Sequence, residues 1–233
     1  MKTERSFSWR GMTMISLALL ISAGALFIVK KTVARSVSTT IQVNSIDGGT
    51  GGPECRLRDA ISAANTGAVV GGCDGSAGGP YILELIPLSQ ELAYEFTVID
   101  NNANGLPIIT TDITINGHGR TIQRSSQETT PNFRLLEVAI TGTLHLNDVT
   151  IRDGGFITEG GNLKNLGNTY IHDAIFRFGR AMDGGSIFNE GNLSISQSRL
   201  INNYGGCGGG IMNGMTGVLT ITNSILLENV GDG

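Results

Sequence analysis

A repeat of about 25 residues fills the second half of this 233-residue chain and limits what it can fold into. Four five-residue segments begin with Gly and end with Leu or Ile. They start at Gly142, Gly167, Gly191 and Gly217, so the steps between them are nearly equal. Periods of roughly 20–50 residues are typical of solenoids, in which each unit buries its apolar face only against its neighbours. The repeat therefore predicts a coil of similar units.

Each repeat contains three short runs in which apolar and polar residues alternate, separated by Gly or Asn turns. Alternation with a period of two indicates β-strands, and such short runs cannot be helices. If one repeat makes one turn of the coil, Leu144, Leu193 and Leu219 lie above one another and face inward, with neighbouring strands about 4.8 Å apart. The pattern therefore predicts strands that stack coil upon coil.

A second series of aligned positions is occupied by asparagine, at Asn165, Asn189 and Asn213, with two equal steps between them. On stacked coils these side chains would form a ladder in which each amide bonds to the next. If they faced outward, they would instead be free to bind sugar hydroxyls. The glycines around them are typical of turns that tolerate a left-handed backbone, which favours the ladder.

Two segments of the repeat carry a likeness to known proteins. Residues 184–189 (GGSIFN) and 198–203 (SRLINN) are similar to the repeats of bacterial polymorphic outer-membrane proteins, and the repeat region as a whole resembles the right-handed parallel β-helix. The resemblance implies an all-β solenoid of the pectate-lyase type.

One segment outside the repeats has a helical pattern. In residues 55–65 (CRLRDAISAAN), Leu57, Ala60, Ile61 and Ala64 fall on one face of a helix, and residues 65–67 (NTG) supply a stop. The first rung of a solenoid exposes strands that would otherwise aggregate, and a short amphipathic helix would cover them. We therefore expect an N-terminal capping helix.

The same segment is similar to the Cys-Ser-Leu-Arg-Glu-Ala motif domain found at the start of many secreted bacterial β-helix proteins. Arg56 and Asp59 stand where that motif has Ser and Glu. Residues 72–73, 106–115 and 119–122 also fit this family, so the resemblance extends over residues 40–229. It implies a cap over residues 36–105 and β-helix repeats over residues 106–233, and it brings no assigned chemistry.

The chain contains three cysteines. Cys55 and Cys73 flank the predicted helix, and an oxidising setting outside the cytoplasm would join them in a disulfide. Their spacing is not that of a zinc site, and no second pair exists. Cys207 lies among glycines in a repeat turn, and we expect it to be a small buried residue.

Residues 1–35 have the features of an export segment. Lys2, Arg5 and Arg10 precede an uncharged apolar stretch, residues 11–29, which Lys30 and Lys31 close. This stretch is short for a membrane-spanning helix and long for a signal-peptide core, so a cleaved signal peptide and a retained anchor both stay open. In either case the segment engages the membrane during export, and the protein is secreted, displayed on the cell surface, or anchored by residues 11–29.

The part after the export segment is acidic. The whole chain has a formal charge of −4, and residues 1–35 contribute +5 (six Lys and Arg, one Glu), which leaves −9 for residues 36–233. Binding to phosphate backbones needs clustered cations, so nucleic acid is not expected as a partner. By the same argument, uronate polymers would be repelled unless a cation bridges them to the protein.

The best candidates for catalysis occupy aligned positions. Asp148 and Asp173 are one repeat apart and would stack on neighbouring coils. Stacked outward carboxylates could hold Ca²⁺ or raise the pKa of one partner, as lyases and glycoside hydrolases require. The column continues as Gln197 and Asn223, however, which is typical of a solvated turn.

Other charged residues near this column weaken the case for an enzyme. Arg152 lies four residues after Asp148, and Arg177 lies four residues after Asp173. These arginines could neutralise the aspartates without any catalysis. His118, His145 and His172 form no motif that would activate a nucleophile, and we expect the latter two to be exposed.

No arrangement of residues in the sequence specifies a reaction. The sequence therefore favours a non-catalytic scaffold for adhesion or recognition, with glycans or the surface of a host or neighbouring cell as partners and no cofactor. The alternatives are a polysaccharide lyase or glycoside hydrolase using Asp148 and Asp173, with Ca²⁺ only for the lyase, and a passive spacer of the cell envelope. No terminal cap follows residue 229, so we also expect further chain or a partner to cover that end.

Overall fold

The computed structural model describes residues 37–86 and 93–232, which lie within one compact unit, Ser36–Gly233. The predicted export segment, residues 1–35, lies outside the described residues. Among the helices of the described part, none is long and apolar enough to cross a membrane.

The described residues form one helix and twenty-one strands. The elements before the regular repeats are β1 (Thr39–Val43), α1 (Leu57–Thr66), β2 (Val69–Val70), β3 (Cys73–Asp74), β4 (Tyr81–Leu85), β5 (Tyr94–Phe96), β6 (Asp112–Arg124) and β7 (Leu136–Val138). The regular repeats contain β8 (Thr143–Arg152), β9 (Ile157–Glu159), β10 (Leu163–Asn165), β11 (Asn168–His172), β12 (Ile175–Arg177), β13 (Arg180–Asp183), β14 (Ile187–Asn189), β15 (Asn192–Ser196), β16 (Arg199–Ile201), β17 (Tyr204–Cys207), β18 (Ile211–Asn213), β19 (Val218–Thr222), β20 (Ile225–Leu227) and β21 (Val230–Gly231).

The main sheet is a stack of parallel strands in the order β1-β4-β6-β8-β11-β15-β19. Within it, Leu144 is paired with Thr169, Thr169 with Leu193, and Leu193 with Leu219. The aligned residues of successive repeats therefore do lie above one another, with Thr169 taking one of the inward positions. The predicted parallel β-helix is confirmed.

Each regular coil contains four strand segments, one more than the alternation predicted. The second segment (β12, β16, β20) continues the main sheet around a bend, and the third (β9, β13, β17, β21) and fourth (β7, β10, β14, β18) form two further four-stranded parallel sheets. The third segment was missed because it has little apolar alternation, as in Tyr204–Cys207 (YGGC). Gly205 takes an inward position there, and a Cβ on it would lie 2.7 Å from the backbone nitrogen of Gly185.

Three columns of left-handed residues turn the chain at the corners of the coil. The first column contains His118, Asp148, Asp173, Gln197 and Asn223, all with φ between 47° and 50°. The second contains Asp153, Phe178, Asn202 and Glu228, and the third contains Gly160, Gly184 and Gly208. Residues other than Gly rarely adopt this conformation, and Asn, Asp and His do so most readily. The corners of successive coils therefore stack because the same residue in each coil takes the same backbone conformation.

The predicted helix is present as α1. Its apolar face, Leu57, Ala60, Ile61 and Ala64, is buried, and it packs on β1 and β4, the first two strands of the main stack. It ends at Gly67, whose left-handed backbone places its N–H on the carbonyl of Ala63. The stack itself begins at β1, before the helix in the chain. The coils thus start earlier than residue 106, where the sequence placed the boundary between cap and repeats.

Two charged residues of the Cys-x-Leu-Arg motif are buried in the cap, and their side chains bond to backbone groups of neighbouring segments. Arg58 is 4% exposed, and its Nε donates to the carbonyl of Gly105 at 2.8 Å. Asp59 is 2% exposed and accepts two hydrogen bonds from the N–H of Gly51, at 2.9 and 3.1 Å. The Gly-rich segment before the helix is thus held against it by a carboxylate.

The cysteines meet one expectation and contradict another. Cys55 and Cys73 are buried and joined by the predicted disulfide. Cys207 was expected to be buried, and this is wrong: it is exposed and has a free thiol. Cys207 is the last residue of β17, next to Gly208 where the chain turns with a left-handed backbone, and it lies beside Asp183 of the preceding coil.

The asparagines form the amide ladder that their spacing predicts. Asn165 donates from Nδ2 to Oδ1 of Asn189 at 2.7 Å, and Asn189 donates in the same way to Asn213 at 2.7 Å. Asn165 and Asn189 are completely buried, so these two amides are not available to sugars. A second ladder at another corner joins Asn203 Nδ2 to Asn229 Oδ1 at 2.8 Å.

Apolar burial is shared between neighbouring coils. Ile195 and Leu200 are buried, whereas Ile221 and Leu226, which pair with them in the last described coil, are 37% and 49% exposed. This difference follows because each unit of a solenoid is covered only by the units on either side. The expectation that further chain or a partner covers this coil stays a prediction.

We expect Asn189→Ala to lower the free energy of unfolding by about 2–3 kcal/mol, because it removes a buried amide that accepts from Asn165 and donates to the carbonyls of Gly191 and Val218. Asn192→Ala is the matched control: Asn192 lies in the same coil but is exposed, so its loss should cost less than about 0.5 kcal/mol. Urea unfolding followed by circular dichroism measures both. Equal effects of the two substitutions would contradict a stabilising ladder.

Replacement of Cys55 and Cys73 by Ser should lower stability by about 3 kcal/mol, the chain entropy that a crosslink over a loop of this length removes from the unfolded state. The measurement is the urea midpoint of the double variant beside that of the parent chain, each with and without a reductant. The reductant should lower the midpoint of the parent to that of the variant and leave the variant unchanged. A parent chain that is insensitive to reductant would contradict the stabilising role.

Candidate functional site

The structure brings the two predicted aspartates together. Asp148 and Asp173 are exposed and line one cleft of about 290 Å³, together with Gln197 and Arg199. We call this the aspartate cleft. Both aspartates belong to the first left-handed column, so the turn already accounts for Asp at these positions. Within residues 37–86 and 93–232, no group of three or more His, Cys, Asp or Glu residues could hold a metal ion.

The arginines that follow these aspartates do not neutralise them in the way the spacing suggested. Arg152 and Arg177 are directly paired on β8 and β12. The Nε of Arg152 lies 2.7 Å from Oδ2 of Asp153, an ion pair without hydrogen-bond geometry. The carboxylate that pairs with Arg152 is therefore that of Asp153, in the second left-handed column, and not that of Asp148.

A second cleft, of about 580 Å³, lies over the second strand segment of the coils. We call it the arginine cleft and define it by Arg120, Arg152, Arg177, Gln123 and Glu95. Gln123 donates from Nε2 to Oε2 of Glu95 at 2.5 Å, so the carboxylate in the lining is bonded to a neutral amide. Three guanidinium groups and one carboxylate make this cleft basic within an acidic chain.

A third cleft, of about 300 Å³, adjoins the arginine cleft at the second left-handed column. Arg124 and Arg180 line it, together with two partly exposed aromatic rings, Phe178 at 41% and Tyr204 at 37% exposure. The Tyr204 hydroxyl bonds to the carboxylate of Asp232. We call this the aromatic cleft.

The cations of the described chain are concentrated on this side of the coil. Residues 36–233 contain ten Lys and Arg residues. Six of them line the three clefts: Arg120, Arg124, Arg152, Arg177, Arg180 and Arg199. The carboxylates in the same linings are Glu95, Asp148, Asp153 and Asp173. Local charge is thus positive although residues 36–233 carry −9 in total, because the coil gathers distant arginines onto one face.

Asp153 lies between the arginine and aromatic clefts, and its ionisation is set by two opposed effects. Burial raises the pKa of this carboxyl above its ordinary value, and the positive charges of Arg152, Arg177 and Arg124 counteract part of that rise. The folded protein therefore carries a partly buried counterion whose charged form is disfavoured.

Arg177 is less completely satisfied than Arg152. Its Nε is buried and has no hydrogen-bond partner among the described residues. Its guanidinium carbon lies 5.4 Å from the centroid of the Phe178 ring, which is a cation–π contact. Arg177 thus lies at the edge between the arginine and aromatic clefts.

The histidines have separate partners. His145 stacks on Tyr170 with ring centroids 4.7 Å apart, and this contact partly covers it. His172 is exposed, as predicted, and its Nδ1 lies 3.0 Å from Ser196 Oγ. His118 is bonded to Glu84 at 2.6 Å. Of the three, only His172 lies within hydrogen-bond distance of a hydroxyl, and the contacts of the described residues include no third group that orients its imidazole, as a catalytic pair requires.

Comparison with known proteins supplies no function: no family model, no curated protein and no solved structure matches the chain. The resemblance to the Cys-Ser-Leu-Arg-Glu-Ala domain and to outer-membrane repeats therefore stays an expectation from the sequence.

Sequence reasoning found part of the arginine cleft. The spacing of the repeat already aligned Arg152 with Arg177. Arg120 was missed because the pairing of β6 with β8 shifts between Asn116 and Arg120, which breaks the regular spacing. Glu95 and Gln123 come from irregular coils in which no repeat is visible.

Because the folded-state pKa of Asp153 is raised, its carboxylate costs stability at neutral pH, and the cost vanishes as the pH falls below the unfolded pKa of about 4. We therefore expect Asp153→Asn to be more stable than the parent chain at pH 7, with the difference shrinking to zero below about pH 4. Asn also suits the left-handed backbone of this position.

The measurement is thermal unfolding of both proteins across this pH range. Asp148→Asn is the matched control, since Asp148 also has a left-handed backbone but is exposed. It should change stability little at any pH. A less stable Asp153→Asn protein at pH 7 would show that attraction to the arginines outweighs the cost of burial.

Proposed function

We propose that the protein is an exported β-helix scaffold for recognition, which binds its ligand on one face of the coil and leaves it intact. The observation that carries the proposal is the arginine cleft with the aromatic cleft beside it. The two are recessed surfaces on paired strands, lined by cations, amides and exposed aromatic rings. Side chains held on strands are positioned more rigidly than those on loops, which suits binding.

Two features support an extracellular setting for this scaffold. Residues 1–35 have the charge and hydropathy pattern of an export segment. The Cys55–Cys73 disulfide closes the cap, and such bonds persist in oxidising environments outside the cytoplasm. Glycans and the surfaces of neighbouring or host cells are the partners available there.

The coil also suits adhesion because it repeats. Weak contacts to a repetitive partner gain avidity when several can form at once, without any one of them being strong. Three adjacent clefts along one face offer such contacts to an extended ligand.

A polysaccharide lyase or glycoside hydrolase is the second candidate, and one observation favours it. Asp148 and Asp173 share the aspartate cleft with Arg199, so two carboxylates and a cation face the same space. Glycoside hydrolysis needs a pair of carboxyl groups, one of them with a raised pKa. Lyase chemistry needs a basic residue, with Ca²⁺ to hold an acidic substrate. A passive spacer, the third candidate, would need no clefts at all.

Incubation of the chain with a panel of acidic and neutral polysaccharides separates these functions. We expect retention of at least one polysaccharide in a pull-down assay, with no new reducing ends and no unsaturated products. Asp173→Asn should bind as the parent chain does. Turnover that disappears in Asp173→Asn would establish the enzyme instead, and the absence of both binding and turnover would favour the spacer.

A further inference from the structure

We infer that the arginine cleft binds an acidic glycan, an oligosaccharide whose carboxylate or sulfate groups are held by Arg152 and Arg177. This inference rests on the recognition function proposed above and specifies its ligand and its site. It begins from a conflict within the fold. Arg152 and Arg177 are paired directly across neighbouring parallel strands, which lie about 4.8 Å apart. Like charges in this arrangement destabilise a sheet unless an anion lies between or beside them.

The protein supplies part of the missing negative charge from Asp153. Its carboxylate lies against Arg152, and burial disfavours its charged form. One half-buried carboxylate cannot fully compensate two neighbouring guanidinium groups. The remaining deficit is at Arg177, whose buried Nε has no hydrogen-bond partner among the described residues. Arg177 lines the cleft, and an oxyanion bound by its guanidinium group would supply the missing negative charge.

The chemistry of the lining selects oxyanions. A guanidinium group offers planar, paired N–H donors that fit the two oxygens of a carboxylate or sulfate. Gln123 and Thr121 add neutral polar groups to the same lining, suited to hydroxyls. Glu95 is bonded to Gln123 and keeps its negative charge, so the anionic group of the ligand is expected at the arginines and not beside Glu95.

The neighbouring aromatic cleft indicates that the ligand with the carboxylate or sulfate groups is a sugar. Phe178 contacts Arg177 and is 41% exposed, and Tyr204 lies on the next coil. An exposed aromatic ring offers a broad apolar surface on which the apolar face of a pyranose ring can pack. A linear acidic glycan lying across the coils would place a charged group at the arginines and a ring on an aromatic side chain.

The net charge of the chain does not oppose this ligand. The sequence suggested that an acidic chain repels uronate polymers, but charges farther away than about 8–10 Å are screened at physiological ionic strength. Within that distance the arginine cleft presents three cations against the two carboxylates of Glu95 and Asp153. A nucleic acid is less suited, because its dense phosphate charge would extend beyond the cleft onto an acidic surface.

Binding can be measured by calorimetry with the whole chain, residues 1–233, and four probes: a sulfated heparin oligosaccharide, an oligogalacturonate, a neutral cello-oligosaccharide and a single-stranded oligonucleotide. We expect the sulfated or carboxylated sugar to bind at least tenfold more tightly than the neutral sugar and the oligonucleotide. The affinity should fall as salt is added, since ion pairs carry it.

Three substitutions locate the site. Arg177→Gln should weaken binding of the acidic sugar roughly tenfold, and Arg177→Lys should recover only part of it because it keeps the charge but loses the paired donors. Asp153→Asn should tighten binding about threefold or more, since it frees Arg152 from its internal partner. Lys164→Gln removes the same charge from another sheet of the coil and should leave the affinity unchanged.

The outcomes distinguish this inference from the function on which it rests. If the parent chain binds only the neutral sugar, recognition stands and the acidic ligand is wrong. If the acidic sugar binds but Arg177→Gln and Lys164→Gln have equal affinity, the site is wrong. Preference for the oligonucleotide would overturn the glycan. Failure of all four probes, together with failure of the wider panel, would overturn both the inference and the proposed function. Melting curves of each variant verify that it is folded.

Discussion

Parallel pairing of every coil strand with the strands one coil before and one coil after it is the interaction on which the rest of this structure depends. No segment of three to five residues could be stable alone, because it has neither a hydrogen-bonded neighbour nor a second apolar layer. Stacking supplies both at once, provided that equivalent residues recur at the same place in each coil. The left-handed residues at the corners and the Asn165–Asn189–Asn213 ladder serve this requirement, since they fix where each coil turns and satisfy the polar groups that turning buries.

The same stacking creates the candidate site. A period that places Leu144 in line with Leu193 also places Arg152 beside Arg177, whatever the electrostatic cost. In the core, repetition of like side chains is favourable because they pack alike. On the surface it sets like charges side by side, and the fold must compensate them with Asp153 or with something from outside. Repetition in a solenoid therefore places like-charged residues side by side on the surface, where they can bind a ligand of opposite charge. The arginine cleft, with Arg152 beside Arg177, is such a surface.

The cap follows different rules, and its residues have no repeat to align them. Arg58 and Asp59 lie in the motif that resembles the Cys-Ser-Leu-Arg-Glu-Ala domain. In the structure the two side chains are buried and bonded to backbone groups of the segments around the helix. Their charge is used to hold irregular loops against the first coils, where strands alone cannot do so.

The sequence by itself determined the coil, because a regular period of about 25 residues with alternating apolar positions has few other solutions. It also predicted a helix in residues 55–65, the disulfide and, as the favoured alternative, the asparagine ladder, each of which depends on local pattern or on the repeat. Only the tertiary structure decided the rest. It placed Cys207 on the surface, added a strand segment with no apolar alternation, and brought Arg120 and Glu95 from irregular coils to the paired arginines. These outcomes depend on how far each irregular coil shifts against its neighbour, and that shift is set by packing in three dimensions, which the periodicity of a sequence does not encode.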